Sequence, residues 1–451
     1  MSAPMRTWSG SATWTPARLE HPHDAGQVAD VVRQAAQHGE RVKALGAGHS
    51  FSAIAATDGA QLVLDRMSGL VGVDAATGRA RLRAGTPLHQ VGPLLGAHGR
   101  ALASMGDIDR QSVGGAISTG THGAGLGFTG YSGMITGLEL VTADGAVRWL
   151  SGAANVASEE RALFEAARVG LGALGVVTEV EIETVPAFLL RADEAAEELD
   201  AVVESFLERA RTRDHYEFFW FPGSRSALTK TNTRLPLGAE YAPLPRLRSR
   251  VMDGMVANGV FAAMCRVGAR VPRTCESLAR LAGWGVDKRS YTDVSYRVFV
   301  TNRDVRFREM EYALPLNAFG AAFDGIREIV RDLSRAGRGV TFPVEVRAAA
   351  GDDVWLSSAS GRDSVYIAVH KYHREDPSEY FGLVERLLVG LGGRPHWGKM
   401  HTRDASWTAQ AYPRFADWAA ARDAVDPDRV FTNRYVERVV GAGGWRWQWR
   451  A

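Results

Sequence analysis

Gln111-Ser112-Val113-Gly114-Gly115-Ala116-Ile117-Ser118-Thr119-Gly120-Thr121-His122-Gly123 lies inside the most glycine-dense stretch of the chain, Gly106 to Gly130. The stretch is too long for a hairpin turn, and its glycines and hydroxyl side chains combine close backbone approach with many hydrogen-bond donors. Such a surface suits a pyrophosphate and the edge of a polar ring system. A glycine-rich loop capping a barrel would read the same way. Towards the N-terminus, Leu45-Gly46-Ala47-Gly48-His49-Ser50-Phe51 follows the strand-like run Arg41 to Leu45. Its glycines let backbone N–H groups converge on an anion, although a tight turn with a satisfied histidine has the same composition. It lacks the G-x-G-x-x-G spacing before a helix, which argues against a nicotinamide dinucleotide fold.

The surrounding segments alternate between helix and strand. Val28, Val31, Val32, Ala35 and Ala36 recur at helical spacing between Asp24, a good N-cap, and Gly39, a stop. Strand-like runs cover Gln61 to Asp65 and Arg79 to Arg83, a second helix covers Pro87 to His98, and strands Gly137 to Thr142 and Val176 to Thr184 bracket a helix at Glu159 to Arg168. A domain boundary falls near 186–195. Beyond it the pattern predicts a helix from Asp193 to Arg211, aromatic strands Tyr216 to Phe221 and Tyr296 to Val300, and a strand Phe307 to Leu314. Strands separated by single long helices point to an antiparallel sheet covered on one side, hence an α+β fold. Residues 236–290 read as a helical insertion.

At 451 residues the chain has room for two or three domains. Its 53 basic and 51 acidic residues give a net charge of +2, which supplies no field for a nucleic-acid backbone or an anionic membrane. Cys265 and Cys275 are too few for a disulfide framework or a four-cysteine zinc site. With no apolar leader or membrane-length segment, the sequence points to the cytoplasm. Only five of the 53 cations are lysines, at 43, 230, 288, 371 and 399. A lysine in a special setting is therefore expected where an arginine fork would not serve.

Two further stretches carry charge in unusual company. In Pro343-Val344-Glu345-Val346-Arg347 a strand would put Glu345 and Arg347 on one face, as a site pair or as an exposed ion pair. Pro395-His396-Trp397-Gly398-Lys399-Met400-His401 sets one of the rare lysines beside glycine and tryptophan. The histidines at 370, 373, 396 and 401 have no common zinc spacing, and no metal is expected.

Taken in order, Gly46 to Phe51, Ser118 to Gly123, Glu345-Val346-Arg347 with Asp352-Asp353, and His396-Trp397-Gly398-Lys399 resemble the aldonolactone oxidoreductases of the vanillyl-alcohol-oxidase flavoprotein superfamily. Within it the chain is most similar to L-gulono-1,4-lactone dehydrogenases and D-arabinono-1,4-lactone oxidases, with alditol oxidase a near cousin. The resemblance runs from about Trp8 to Val440. It implies a two-domain PCMH-type fold: an FAD-binding domain over 10–190, a substrate domain over 191–415 built on an antiparallel sheet, and a segment 416–451 packing back near the flavin. It implies FAD wrapped by Gly46, Ala47, Gly48, His49, Ser50 and Phe51, covalently held through His49. Gly106, Asp107, Ser112, Gly115, Thr119, Gly120, Thr121 and His122 would line the cofactor, with Val176 on the adenine side. Glu345, Arg347, Lys399 and His370 would be catalytic, and Arg347 close to Lys399 would favour a proton-accepting lysine. The substrate would be a sugar lactone, or alternatively a polyol such as xylitol, and the electron acceptor oxygen or a quinone or cytochrome. Two positions depart from relatives: Asp107 replaces the serine of alditol oxidase, and Gly106 stands where some relatives carry an oxygen-obstructing alanine.

Overall fold

The computed structural model describes residues 3–153, 155–245, 258–284, 288–301 and 305–442. The N-terminal part holds two small sheets. Arg18–Glu20, Ala60–Val63 and Val42–Leu45 form a parallel three-stranded sheet. A five-stranded antiparallel sheet runs in the order Val147–Ser151, Ile135–Val141, Val176–Ile182, Ala80–Arg83, Leu70–Val73. The helix Ala25–Gln37 starts at Asp24, whose side chain accepts from the Gln27 N–H, and stops before Gly39 at φ +64°.

The larger sheet has eight strands, all antiparallel, in the order Arg289–Val294, Leu189–Glu198, Ser226–Leu235, His215–Trp220, Val344–Ala349, Ser364–Tyr372, Phe307–Pro315, Arg394–Pro395. Helices Leu199–Thr212, Phe319–Arg335 and Ser378–Gly390 cover one face, where Val344, Val346, Val365, Ile367, Met310 and Tyr312 pack against Phe206, Phe323, Ile326 and Val384. Strand periodicity sends Glu345, Arg347, His370, Glu309 and Glu311 to the other face, and this face is buried too.

Two expected elements differ. Asp193 to Glu198 belongs to a strand, although its residues are good helix formers. Leu189–Glu198 pairs along its whole length with Ser226–Leu235, its residues up to Glu194 pair also with Arg289–Val294, and Glu194 and Glu197 find cross-strand partners in Arg289 (2.6 Å) and Thr229 (2.5 Å). Tertiary pairing overrides propensity here, and the helix starts only at Leu199. Tyr296 to Val300 is likewise not a strand, because the chain turns through a short helix at Ser295–Val298. Lys230 donates to the carbonyl at its end, Val298 (2.9 Å). The proposed insertion contains helices Asn258–Arg270 and Cys275–Trp284, while its stretches 246–257 and 285–287 lie outside the described residues. No helix among the described residues is long and apolar enough to cross a membrane.

The C-terminal segment returns to the N-terminal part. Val42 N–H donates to Val430 (2.8 Å), and the Trp418 indole donates to Ala166 (3.1 Å). Asn433 caps the last helix by accepting from the Val436 N–H, while its amide reaches the carbonyls of Ala53, Ile54 and Ala56 at 3.1, 3.0 and 2.7 Å. Asn433→Ala removes an N-cap and strands buried carbonyls, so we expect a loss of about 2–4 kcal/mol in urea unfolding, with the fold retained.

Candidate active site

The glycine-rich loop after Leu45 is shaped by close approach. A side chain at Gly46 would place its Cβ 2.1 Å from Ser112 Oγ, and Gly48 sits at φ +66°. Ser112 in turn caps the short helix Val113–Ser118 by accepting from the Gly115 N–H. These two stretches form walls of a cavity of about 1060 Å³, counting its open mouth, which reaches from Trp14 and Lys43 past Gly46 to Ser50, Ser112, Gly115 and Thr119 to the loop Gly170 to Gly175. The cavity joins a smaller one of about 330 Å³, lined by Trp8, Phe51, Ile108, His396, Gly398 and Lys399; His49, Ser50 and Gln111 belong to both.

A main-chain bond from Phe51 N–H to the Gly398 carbonyl (2.6 Å) ties the loop to the far side of the smaller cavity. Lys399 lies over the Phe51 ring, its Nζ 5.0 Å from the centroid. His49 stacks on Trp8, and burial, reinforced by Lys399 and Arg110, pulls its pKa down to about 4. A neutral imidazole results, with a lone pair free to attack or to accept.

On the polar face of the large sheet the charges are paired. Arg347 contacts Glu345 and lies 3.8 Å from Asp107. Lys399 donates to Glu309 Oε2 at 2.5 Å, and His370 Nε2 lies 3.6 Å from the other oxygen of Glu309. Burial would push the Glu309 carboxyl up, but Lys399 and His370 override it and hold it well below the usual range. Glu311, two residues on, is held down in the same sense by His122 at 3.4 Å, with Lys399 and Arg347 adding.

The structure therefore brings together Glu345, Arg347 and Asp107 as one group and Lys399, Glu309 and His370 as another. His370 stands behind Phe307, with the ring centroids 5.1 Å apart, and does not line the smaller cavity. Gly120, Thr121 and His122 lead away from the large cavity, and His122 stacks on Tyr366 at 3.5 Å. A Cβ at Gly106 would lie 3.1 Å from the His122 carbonyl oxygen. Val176, expected beside the cofactor, points into the core with Val28 and Phe431, and it is Val177 that faces the cavity, because neighbouring strand residues face opposite ways.

Lys43, Gln111, Glu309, Glu311 and His396 were given no site role by sequence reasoning. Lys43, completely buried, donates to the carbonyls of Leu171, Gly172 and Phe431 at 3.5, 2.8 and 3.2 Å, and burial lowers its pKa to about 7. It was visible as a lone lysine in an apolar strand. Glu309 and Glu311 alternate with Met310 and Tyr312 in a strand buried on both faces, a pattern that could have marked them. His122, Glu311 and His396 lie within 4.8 Å of one another. A cation there would find no lone pair on His396, since the Gly398 N–H donates to Nδ1 (3.0 Å) and the proton of the neutral ring is then on Nε2.

The two cavities suit a flavin dinucleotide. They are walled by glycines and hydroxyls at one end and by Lys399 at the other, Arg347 lining neither, and the Gln111 Oε1 between them is buried without a hydrogen-bond partner among the described residues. Residues 16–151 match the profile of an FAD-binding domain, and residues 180–439 match that of D-arabinono-1,4-lactone oxidase. The chain belongs to the D-arabinono-1,4-lactone oxidase family. This aldonolactone oxidoreductase family uses FAD. Among its relatives, L-gulono-1,4-lactone dehydrogenase of Mycobacterium tuberculosis is 40% identical over 98% of this chain and 100% of its own. L-gulonolactone oxidase of Bos taurus is 28% identical over 96% and 97%, and alditol oxidase of a Streptomyces species is 30% identical over 98% and 100%. The fold is that of cholesterol oxidase from Brevibacterium sterolicum, with a TM-score of 0.77 at 15% identity, covering 98% of this chain and 97% of that one.

Burial depresses the pKa of five described histidines of this family member: His49 and His215 to about 4, His396 to about 3, and His373 and His401 in the same direction. In the unfolded chain they take up protons near 6.5, so the unfolded state binds more protons between 6.5 and 4 and stability falls as the pH is lowered through that window. The thermal midpoint should drop on acidification from pH 6.5 to 4, and His215→Gln should make that drop smaller in a pH series of melting curves.

Proposed function

We propose that this protein oxidises an aldono-1,4-lactone of the L-gulono or D-arabinono type at the carbinol carbon beside the ring carbonyl. When bound, FAD supplies the two-electron oxidation by taking up hydride from that carbon. Arg347 and Lys399 bind the carbinol oxygen, Glu345 orients Arg347, and the loop Gly46 to Phe51 with Ser112, Gly115 and Thr119 holds the cofactor. The observation that carries this reading is the pairing of Lys399 and Arg347 with carboxylates buried on one sheet face, with Lys399 lining a cavity that runs on into the glycine-rich walls. The 40% identity to an L-gulono-1,4-lactone dehydrogenase supports the lactone. The FAD-binding part spans 10–190 and the substrate part 191–415, with 416–451 returning towards the cofactor, its residues 443–451 lying outside the described ones. Two buried free thiols, Cys265 and Cys275, support a reducing compartment such as the cytoplasm. Oxygen, a quinone or a cytochrome takes the electrons.

A polyol is the second reading, favoured by the 30% identity to alditol oxidase; Asp107 beside Arg347, at the position where alditol oxidase has a serine, speaks against identical polyol recognition. An anaerobic comparison decides between them: L-gulono-1,4-lactone or D-arabinono-1,4-lactone should bleach the flavin absorbance faster than xylitol, and the reverse order would favour the polyol.

His49, neutral and common to both cavities, is the attachment point for a covalent flavin. Acid-precipitated protein should stay yellow, and His49→Ala should release its FAD to the supernatant under the same treatment.

A further inference from the structure

We propose that Glu309 is a positioning residue that holds Lys399 as a fixed hydrogen-bond donor towards the carbinol oxygen of the substrate. The proposal rests on the lactone-oxidising reading above and assigns the group that sets the charge of its lysine.

Glu309 holds Lys399 in two ways. Its Oε2 accepts from Nζ at 2.5 Å, and its main-chain carbonyl accepts from the Met400 N–H at 2.9 Å, so one residue fixes both the ammonium and the loop that carries it. The carboxylate is itself fixed. Both side chains are largely out of solvent, 4% exposed for Glu309 and 15% for Lys399. The second oxygen faces His370, the cross-strand partner of Glu309, whose ring is set by an Nδ1 hydrogen bond to the Pro343 carbonyl at 2.9 Å.

The other groups around Lys399 do not replace this contact. His49 on the glycine-rich loop and His396 on the lysine's own loop carry no negative charge, Phe51 offers a ring face, and Arg347 repels an ammonium. Glu311 points to the same side of the strand but faces His122. Removing the Glu309 carboxylate would therefore leave a largely buried ammonium without the partner that offsets its desolvation. With one N–H on Glu309, Lys399 keeps two donors for oxygen ligands. The contact with Glu309 thus makes Lys399 a donor, contrary to the proton-accepting role expected from the sequence.

Five lysines make the test direct. Protein carrying its flavin and labelled with ¹³Cε-lysine gives one signal per lysine, and Lys399→Arg identifies the signal of interest. In Glu309→Gln that signal should leave its ammonium position at a pH about one unit or more below that in the wild type. In Glu311→Gln, which leaves the Glu309 contact in place, the change should be smaller. Flavin reduction by the lactone should fall about 100-fold in Glu309→Gln at unchanged flavin content, and Glu309→Asp should recover part of it. A Lys399 signal that titrates alike in the wild type and Glu309→Gln overturns the proposal, as does an undiminished reduction rate. If the signal shifts as expected but no lactone reduces the wild-type flavin, the lactone reading fails and the role of Glu309 in holding Lys399 stands.

Discussion

An eight-stranded sheet buried on both faces has to satisfy two chemistries with one alternation. Val344, Val346, Val365, Ile367, Met310 and Tyr312 fill the face under the helices. The residues between them, Glu345, Arg347, His370, Glu309 and Glu311, then necessarily point to the other side, where burial makes an unpaired charge costly. Each is met by a partner of opposite charge or by an imidazole, and those partners come from different parts of the chain: Asp107 and His122 from the glycine-dense stretch, and Lys399 from the loop near the last strand. The site is organised by this need for pairing.

The junction between the cofactor-binding walls and the sheet is made largely by hydrogen bonds to backbone carbonyls. Phe51 N–H reaches Gly398, the Trp397 carbonyl accepts from Tyr435, and the Trp397 indole donates to Leu356. Lys43 and Asn433 gather carbonyls from separate segments onto single side chains. At Lys43 the three N–H donors of an ammonium match three converging carbonyls, which the planar fork of arginine would not. In an arginine-rich chain this explains why lysine stands there.

Burial also sorts the histidines of the site. His49 and His396 are kept neutral by desolvation. His122 and His370 each turn Nδ1 to a backbone carbonyl and Nε2 to a buried glutamate, so their rings serve the carboxylates rather than the cavities. Residues of one type thus fill two roles, decided by what each nitrogen faces.

The sequence alone determined the elements with strong local signals and the stretches where chemistry needs glycine. Asp24 and Gly39 bound the first helix because capping is local, and the chain turns along the large cavity at Gly46 and Gly48 because a side chain at the first would strike Ser112 and the second takes a positive φ. Glu345 and Arg347 share a face because strand alternation is local too. The tertiary structure decided the rest. Asp193 to Glu198 became a strand because Ser226–Leu235 pairs with all of it and Arg289–Val294 with its first two residues, and Val177 rather than Val176 faced the cavity because the packing of the sheet chose which side is inside. The partner of Lys399 proved to be Glu309, 90 residues away in sequence. A charge pair across such a separation has no periodicity to betray it; it exists only where two distant strands and a loop meet out of water and each charge must find the other.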